Sequence, residues 1–585
     1  MRTLEVAGGV MGFVARWVPG ITVVRTYEKG WLRKDFTAAL VLTALLVPQG
    51  MAYAELAGLP AVTGLYTTVA ALLGYAIFGP SRIMVLGPDS SLAPLIAAII
   101  APLVIGDSPA EAVALAGMLA ILAGLIEVVV GLVRLGTITD LLSMPVRVGY
   151  LNGIALLVLV SQLPKLFGFS TDGDGFVSDI VEFAKGLADG ETVVASLLLG
   201  SVAIVVMLVG RRFAPRIPWV LVAVIASIAV VALLGLADEG VSVVGVLPSG
   251  FPSPTFPSVP LEDLGPLLAG ALAIAIVSVA DTAALSRSFS AKRGERVDQN
   301  HEAVGLGVSN IAAGLFQGFP MSASSSRTVV AESVGAKTQL TGVLSALAII
   351  ILLVGANGLL ADLPSSVLAA VVIVASFGLF DLATIRWLAR VRRTDFVAAV
   401  IAMLGVVLVG VLEGLLIAIG VSLAVFIWKR WRPHTAVLGR VAGAKGYHDT
   451  ERHPDAYLVP SLLLFRFDSP IFFANAGFFE EQLGEAIDAT PGGVRRVVVA
   501  AEPISDIDST GAEMLQMLLD DFDARGIEFA FAELKGPVKD RLRSYGLYER
   551  IGDRFFYATL GVAVMSYADE TGVSPRDHGE DNQER

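Results

Sequence analysis

The sequence predicts a multi-span α-helical membrane protein of fourteen segments, organised as two inverted sets of seven, with a separate α/β domain after them. Composition is the first reason. Of 585 residues, 55% are hydrophobic and 16% charged, with mean hydropathy +0.73, whereas soluble globular chains carry about 25% charged residues. A soluble enzyme, a nucleic-acid binder and a disordered scaffold are thereby excluded as descriptions of the whole chain. The second reason is a succession of apolar runs from residue 36 to about 430, each near the ~20 residues a helix needs to cross a hydrocarbon core. The third is the placement of charge: of 42 basic and 54 acidic residues, positions 437–585 hold 15 and 26, so the net charge of −12 belongs to the end of the chain.

Residues 1–35 carry Arg16, Arg25, Lys29, Arg33 and Lys34, which interrupt any cleavable leader. Cysteine is absent, which removes disulfides, thiolate metal sites and cysteine nucleophiles. The fourteen runs begin near Phe36, Ala61, Ser90, Pro109, Ser143, Glu191, Arg216, Asp263, His301, Ala323, Lys337, Leu363, Thr394 and Leu412, and the region closes near 432. Hydropathy alone does not identify the third and tenth, which are too short or too polar.

Positive residues stay on the cytoplasmic side of a membrane. With the N-terminus inside, the inner loops contain Arg82, Arg134, Arg211, Arg212, Arg216, Arg287, Lys292, Arg293, Arg296, Lys337, Arg386, Arg390, Arg392 and Arg393. The outer loops hold only Lys165 and Lys185 against eight acidic residues, and Lys429, Arg430 and Arg432 follow the last run. An even number of spans and two cytoplasmic termini follow, with the chain integral to the plasma (inner) membrane. Runs 1 and 8 begin near 36 and 263, and the irregular segments before runs 3 and 10 match at Asp89 and Ser322, so the offset is nearly constant. An odd number of spans per unit forces opposite orientations, the inverted repeat of secondary transporters, and short Gly/Pro-interrupted segments at matching places point to a midplane site.

The residues at those places suit an anion. A half-helix starting inside the membrane presents unpaired N–H groups and a positive dipole end. Asp89-Ser90-Ser91 follows Pro88, and Ser322-Ala323-Ser324-Ser325-Ser326-Arg327 follows Pro320. Single serines there also serve as caps or close-packing residues. An intramembrane arginine faces a cavity or a partner.

Val47-Pro48-Gln49-Gly50-Met51-Ala52-Tyr53-Ala54, Gly64-Leu65-Tyr66, Gly79-Pro80-Ser81-Arg82, Gly87-Pro88, Asn300-His301-Glu302, Gly305, Asn310 and Ser326-Arg327-Thr328 together resemble the SulP family of anion transporters and exchangers, over nearly the whole chain. The resemblance implies a core and a gate domain within the two repeats over 36–432, an anion held between the starts of segments 3 and 10, a cytoplasmic STAS domain and a homodimer. Carried over, the anion-binding residues are Gln49, Tyr53, Ser90, Ser91, Ser326 and Arg327. Gln49 otherwise repairs the helix break at Pro48, and Tyr53 otherwise anchors at the interface.

Asp281 lies about six residues before the basic inner loop, too deep for its carboxylate to reach water along its own side chain. The resemblance assigns an acid there to H⁺ or Na⁺ coupling, the only cofactor-like ion expected. Na⁺-using relatives pair that acid with a threonine one turn later, where this chain has Leu285, with Thr282 on another face. Glu127 is a second membrane acid, expected to make a helix-packing hydrogen bond.

After an expected linker at 433–455, residues 456–570 read as alternating strands (Leu462–Arg466, Val497–Ala500, Ile527–Phe531) and amphipathic helices (Phe478–Ala489, Gly511–Ala524). Phe465-Arg466-Phe467-Asp468-Ser469-Pro470 and Asp506-Ile507-Asp508-Ser509-Thr510-Gly511 resemble the STAS domain, whose relatives among the anti-sigma factor antagonists are phosphorylated at the place of Ser509. From its own residues, with Asp508 beside it, Ser509 reads first as a helix N-cap. Residues 571–585 are polar and expected to be disordered. The functional expectation is a secondary active transporter of a small anion such as sulfate, bicarbonate or a dicarboxylate, with the lipid bilayer and a regulatory protein on the STAS domain as partners and no nucleic acid. An uncoupled anion conductor and a nucleobase-type carrier share the architecture. No nucleophile–base set or phosphate loop occurs in the spans, so no enzymatic activity is expected.

Overall fold

The computed structural model describes residues 17–106, 108–135, 143–171, 176–214, 217–294 and 297–573. Residues 574–585, most of the expected disordered tail, and 1–16 lie outside the described residues. The chain divides into two compact units, Met1–Ser422 and Leu423–Arg585.

In the first unit the fourteen segments are helices, each starting within four residues of its expected place: α1 Leu32–Leu56, α2 Ala61–Phe78, α3 Ala93–Ile100, α4 Pro109–Leu132, α5 Met144–Phe167, α6 Val194–Phe213, α7 Trp219–Leu234, α8 Leu264–Arg293, α9 Gln299–Leu315, α10 Ser325–Val334, α11 Leu340–Gly355, α12 Ser365–Ser376, α13 Arg393–Leu408 and α14 Val411–Trp431. Helices α1, α2, α4, α5, α6, α8 and α14 are long and apolar enough to cross a membrane. The others are shorter, and α3 and α10, with 8 and 10 residues, rise only about 12 and 15 Å. The repeat is visible in the starts: Leu32 to Leu264 and Ala93 to Ser325 are the same interval. Three further helices, Pro19–Arg25, Phe176–Ala188 and Leu382–Val391, lie between or before the segments.

Packing sorts the segments into two groups. Helices α1–α4 and α8–α11 pack mainly on one another, as do α5–α7 and α12–α13, with α1 touching α7 and α12 between the groups. In the first group α4 lies along α9 with almost no side-chain layer between them. A Cβ on Gly117, Gly124 or Gly131 would come within 2.5–3.0 Å of the carbonyl of Gly314, Gly307 or Asn300, and one on Gly314 within 2.3 Å of Gly117 O. The seven-residue spacing of these glycines brings the two backbones together along three successive contacts, the close approach that membrane helices achieve with small residues. Lipid takes the place of water on the outside, where Leu198, Val202, Val205, Ile225, Leu408 and Phe426 expose large apolar surfaces.

Asp35, fully buried, ties the two halves together. Its carboxylate accepts from Lys337 N (2.7 Å), Thr338 N (3.2 Å), Thr338 Oγ1 (2.8 Å) and Thr341 Oγ1 (3.1 Å) at the start of α11, and from the Tyr27 hydroxyl. A carboxylate at a helix N-terminus satisfies donors that the helix itself cannot.

The second unit is a six-stranded mixed sheet in the order β4-β3-β5-β6-β7-β8, with β3 Thr435–Arg440, β4 Tyr447–Asp449, β5 Leu462–Phe467, β6 Arg496–Ala500, β7 Glu528–Ala532 and β8 Phe556–Tyr557. Strands β5 to β8 are parallel and β3 is antiparallel to both its neighbours. β3 and β4 fall in the stretch expected as a linker; Ala436 and Leu438 are buried on β3, so that stretch adds an edge to the sheet. Helices α15 Ala476–Asp488, α16 Ser509–Arg525 and α17 Gly536–Ser544 contribute Phe479, Leu483, Leu515, Phe522 and Leu542 to one core face, and α18 Leu560–Thr571 covers the other. Buried Arg496 pairs with Glu528 (2.6 Å) and Glu570 (2.5 Å), which fixes the end of α18, and its hydrogen bond holds the Glu570 carboxyl below the usual carboxylate range.

The helix contact yields a stability test. Gly314→Val pushes a branched side chain into backbone that cannot yield, so a loss of about 1–3 kcal/mol or failure to fold is expected. Gly265→Ala, with nothing within 4 Å of the added atom, is expected to leave thermal unfolding of the purified protein unchanged. Equal unfolding temperatures for the two variants would refute the contact.

Candidate functional site

The site is built where two extended strands interrupt the helices. β1 (Leu86–Gly87) and β2 (Ser322–Ala323) pair antiparallel, Leu86 opposite Ala323 and Gly87 opposite Ser322, and each leads into a half-helix, α3 or α10. Non-helical backbone at membrane depth is tolerated only where its polar groups are satisfied within the protein, and here the partners can be named. Phe319 N donates to Thr67 Oγ1 (3.0 Å), Met321 N to Asn310 Oδ1 (2.9 Å), Ala323 N to Thr282 Oγ1 (3.4 Å), Ser324 N to Val85 O (3.1 Å), and Val85 N to Thr328 Oγ1 (3.1 Å). Side chains from α2, α8, α9 and α10 thus replace the missing helical bonds. Thr282 is committed to β2 in this way, on a different face from Asp281, as its spacing implies.

Arg327, on the first turn of α10, is 1% exposed. The sequence places it at the second half-helix, but its guanidinium reaches the first. Nη2 donates to Pro88 O (2.6 Å) and Gly87 O (3.3 Å) and lies 3.9 Å from Asp89 Oδ2. Gly87 leaves room for it, since a Cβ there would sit 2.8 Å from Arg327 Nη1. Nε and Nη1 are buried without a hydrogen-bond partner, as are Ser322 Oγ on β2 and the Tyr150 hydroxyl on α5. Buried donors are normally paired, so these open donors single out the surroundings of Arg327 as the candidate site.

Asp89, which the sequence offered beside Ser90 and Ser91 without a role of its own, also lines the candidate site. Its Oδ1 accepts from Ser91 N (2.9 Å) and Ser91 Oγ (2.7 Å), and its backbone carbonyl accepts from Leu92 and Ala93 N, so it closes the entry to α3 in the manner of an N-cap. An aspartate two to four residues before an apolar helix is the available signal.

The expected residues gather around this point to different degrees. Tyr53, buried on α1, lies close to Ser90 and within electrostatic range of Asp89 and Arg327. Gln49 lies one turn earlier on the same face, half-buried and without a hydrogen-bond partner among the described residues. Ser90 and Ser91 are buried. Asp281, on α8, is partly buried and lies within electrostatic range of Asp89 and of Arg147 and Tyr150 on α5. Ser326 is exposed and shares a hydrogen bond with Ser324 (3.2 Å). Arg147 and Tyr150 lie one turn apart on a helix of the other packing group and were not singled out by the sequence.

In the second unit Ser509 is not the N-cap. Asp508 takes that role, accepting from Gly511 N (2.8 Å) and from Phe473 N (2.8 Å), and Ser509 occupies the first helical position, exposed.

Comparison with known proteins gives a consistent picture. The profile of the sulfate permease family matches residues 32–421, and that of the STAS domain matches 453–563. A probable sulfate transporter of Mycobacterium tuberculosis is 40% identical over 553 residues, covering 94% of this chain and 98% of its own. The chloroplastic sulfate transporter 4.1 of Arabidopsis thaliana is 31% identical, covering 93% and 81%. Among solved structures, the murine solute carrier 26 family member A9 anion transporter superposes with TM-score 0.89 at 22% identity over 97% of this chain and 96% of its own. The transmembrane domain of a cyanobacterial bicarbonate transporter gives 0.57 at 21% identity, covering 68% and 98%.

The geometry makes Gly87 and Arg327 one unit. Losing a charge-assisted hydrogen bond costs about 1.5–3 kcal/mol, so Arg327→Gln is expected to weaken anion binding by roughly 10- to 150-fold. Gly87→Ala is expected to weaken it as well by displacing the guanidinium. The double variant is expected to be no worse than Arg327→Gln alone, a non-additivity that equilibrium binding to the purified variants measures. Fully additive losses would mean that Gly87 acts independently of Arg327.

Proposed function

The chain belongs to the sulfate permease family and carries a C-terminal STAS domain, and from that premise we propose that it is a secondary active transporter of a small anion. Sulfate is the first candidate, with bicarbonate and dicarboxylates as alternatives. The observation that carries the reading is the unpartnered, buried Nε and Nη1 of Arg327 beside the paired starts of α3 and α10. Two half-helix N-termini and one guanidinium together supply directed donors and positive field without a compensating anion of their own beyond Asp89, which lies 3.9 Å away.

Asp281 is the coupling group. Its carboxylate faces the same space as the anion, so in its charged form it repels the anion, and uptake of a proton removes that repulsion. Na⁺ is the weaker alternative because Thr282 is spent on β2 and Leu285 stands where a second ligand would be. The two packing groups act as core and gate, the first carrying the anion past the second in an elevator-like or rocking motion. The protein resides in the plasma (inner) membrane with both termini in the cytoplasm, as a homodimer. The STAS domain is a regulatory or assembly module that adds no atoms to the anion path, and the exposed hydroxyl of Ser509 at a helix start is open to phosphorylation by a partner enzyme.

Uptake of labelled sulfate, bicarbonate, succinate and chloride into proteoliposomes, with pH and Na⁺ gradients imposed separately, tests the reading. Wild type is expected to concentrate one of these anions when a pH gradient is present. Asp281→Asn keeps the size and removes the charge, so accumulation should fall to equilibration while binding is partly retained. If that variant concentrates the anion with unchanged pH and Na⁺ dependence, coupling lies elsewhere. For orientation, single cysteines placed within 238–260 should react with an impermeant reagent from outside intact cells and those within 386–393 should not; the reverse pattern overturns the assigned topology.

A further inference from the structure

Glu127 is fully buried on α4 and takes no part in the anion site. Among the described residues its hydrogen-bond partners are two neutral groups. The Ser278 hydroxyl of α8 donates to Oε1, and the Asn310 amide of α9 donates to Oε2 at 2.8 Å. The Ser278 hydroxyl also lies 3.3 Å from the carbonyl of Ala275. That second acceptor matters. With Glu127 ionised, Ser278 donates to it; with Glu127 protonated, the carboxyl O–H donates to Ser278 Oγ, whose hydrogen turns to Ala275 O. Asn310 donates to Oε2 in both cases, so a proton from water can be taken up or given back with every hydrogen bond kept. Glu302 is built differently: Tyr75, Ser81 and Ser286 all donate to it.

Asn310 carries the effect of that proton to the anion half-site. The same amide that donates to Glu127 also donates to Met321 O (3.3 Å), and its Oδ1 accepts from Met321 N (2.9 Å), immediately before β2. A charged acceptor strengthens its hydrogen bond, so the state of Glu127 sets how Asn310 divides its amide between the carboxyl and the strand that leads into α10. The titratable and charged groups on the elements packed against α4 are few. α3 has none, α8 brings Asp281 one turn beyond Ser278 and the basic residues at its end, and α9 brings His301 and Glu302; α4 itself has only Glu111, at its first turn.

We propose that Glu127 is a second proton-binding group, set apart from the anion and linked through Asn310 to the strand that positions α10. The link to transport rests on the function proposed above, but the proton site can be read without any transport. The test is infrared difference spectroscopy of the purified full chain in liposomes across a pH titration, which detects the C=O band of a protonated carboxyl. We expect a band that disappears in Glu127→Gln, a variant whose amide can still donate to Ser278 and accept from Asn310. It should also shift in Ser278→Ala, which keeps the carboxyl and removes the rotating hydroxyl, and should respond to at least one of sulfate, bicarbonate and chloride. A band spectrum identical in wild type and Glu127→Gln overturns the proton site. A Glu127 band indifferent to all three anions overturns the link to α10. Should no anion be transported while the band behaves as expected, the proposed function fails and the proton site stands.

Discussion

The pairing of β1 with β2 is the interaction on which the rest of the first unit depends. Four residues of extended chain are placed where a membrane offers no water to hydrogen-bond them, and each group left open would cost on the order of a few kcal/mol. The pair satisfies part of the need. Thr67, Asn310, Thr282 and Thr328 supply what it cannot, from four different helices. Once those bonds are set, the starts of α3 and α10 have no freedom to drift apart, and the donors at both helix ends point into one region. A site assembled from backbone needs this kind of bracing, because no single side chain can hold it.

Bracing of that kind requires the supporting helices to keep their own register. The glycine contact between α4 and α9 does this by bringing backbone against backbone, so Asn310 on α9 and Glu127 on α4 meet at a fixed height. Asp35 performs a comparable task further along, closing the start of α11 with four bonds that span some three hundred residues of sequence. The first packing group therefore behaves as a block. Its contacts with the second group run mainly through α1, which leaves that seam as the place where relative movement is least opposed.

Most of this architecture was legible in the sequence, for physical reasons that also explain what was not. Span length, loop charge and the Gly/Pro breaks at Gly87-Pro88 and Phe319-Pro320 are local signals, and they located all fourteen helix starts. The strand pairing was not legible, because two-residue strands show no alternation and their partners lie 237 positions apart at Leu86 and Ala323. The role of Arg327 was half legible: an intramembrane arginine announces a site, but a long side chain reaches Pro88 O on the opposite half-site, and only coordinates show that. Ser509 and Asp508 illustrate a finer limit. Both are capping residues, and which of them is the cap depends on whether the helix starts one residue earlier or later. Strands β3 and β4 were missed because their short, mixed sequences become strands only by pairing with β5 and with each other.

The acids of the membrane unit differ in what surrounds them, and that difference decides what each can do. Asp35 accepts from backbone and hydroxyl donors at a helix start and is fully engaged, a carboxylate serving structure. Asp89 divides itself between Ser91 and the guanidinium of Arg327, so it shapes the site and moderates its positive field together. Glu302 is closed by three hydroxyls. Asp281, like Asp89, is partly buried, and Asp89 and Arg147 lie within electrostatic range of it. In the proposed function, an anion entering beside Arg327 meets one guanidinium already shared with Asp89, and Asp281 as a second carboxylate. The charge balance of the loaded site then turns on whether Asp281 is charged, because Asp89 is held by bonds that do not depend on the guest. In the function proposed above, Asp281 is the acid that changes its charge beside the anion and Glu127 the one that does so apart from it, and coupling two solutes requires the first arrangement.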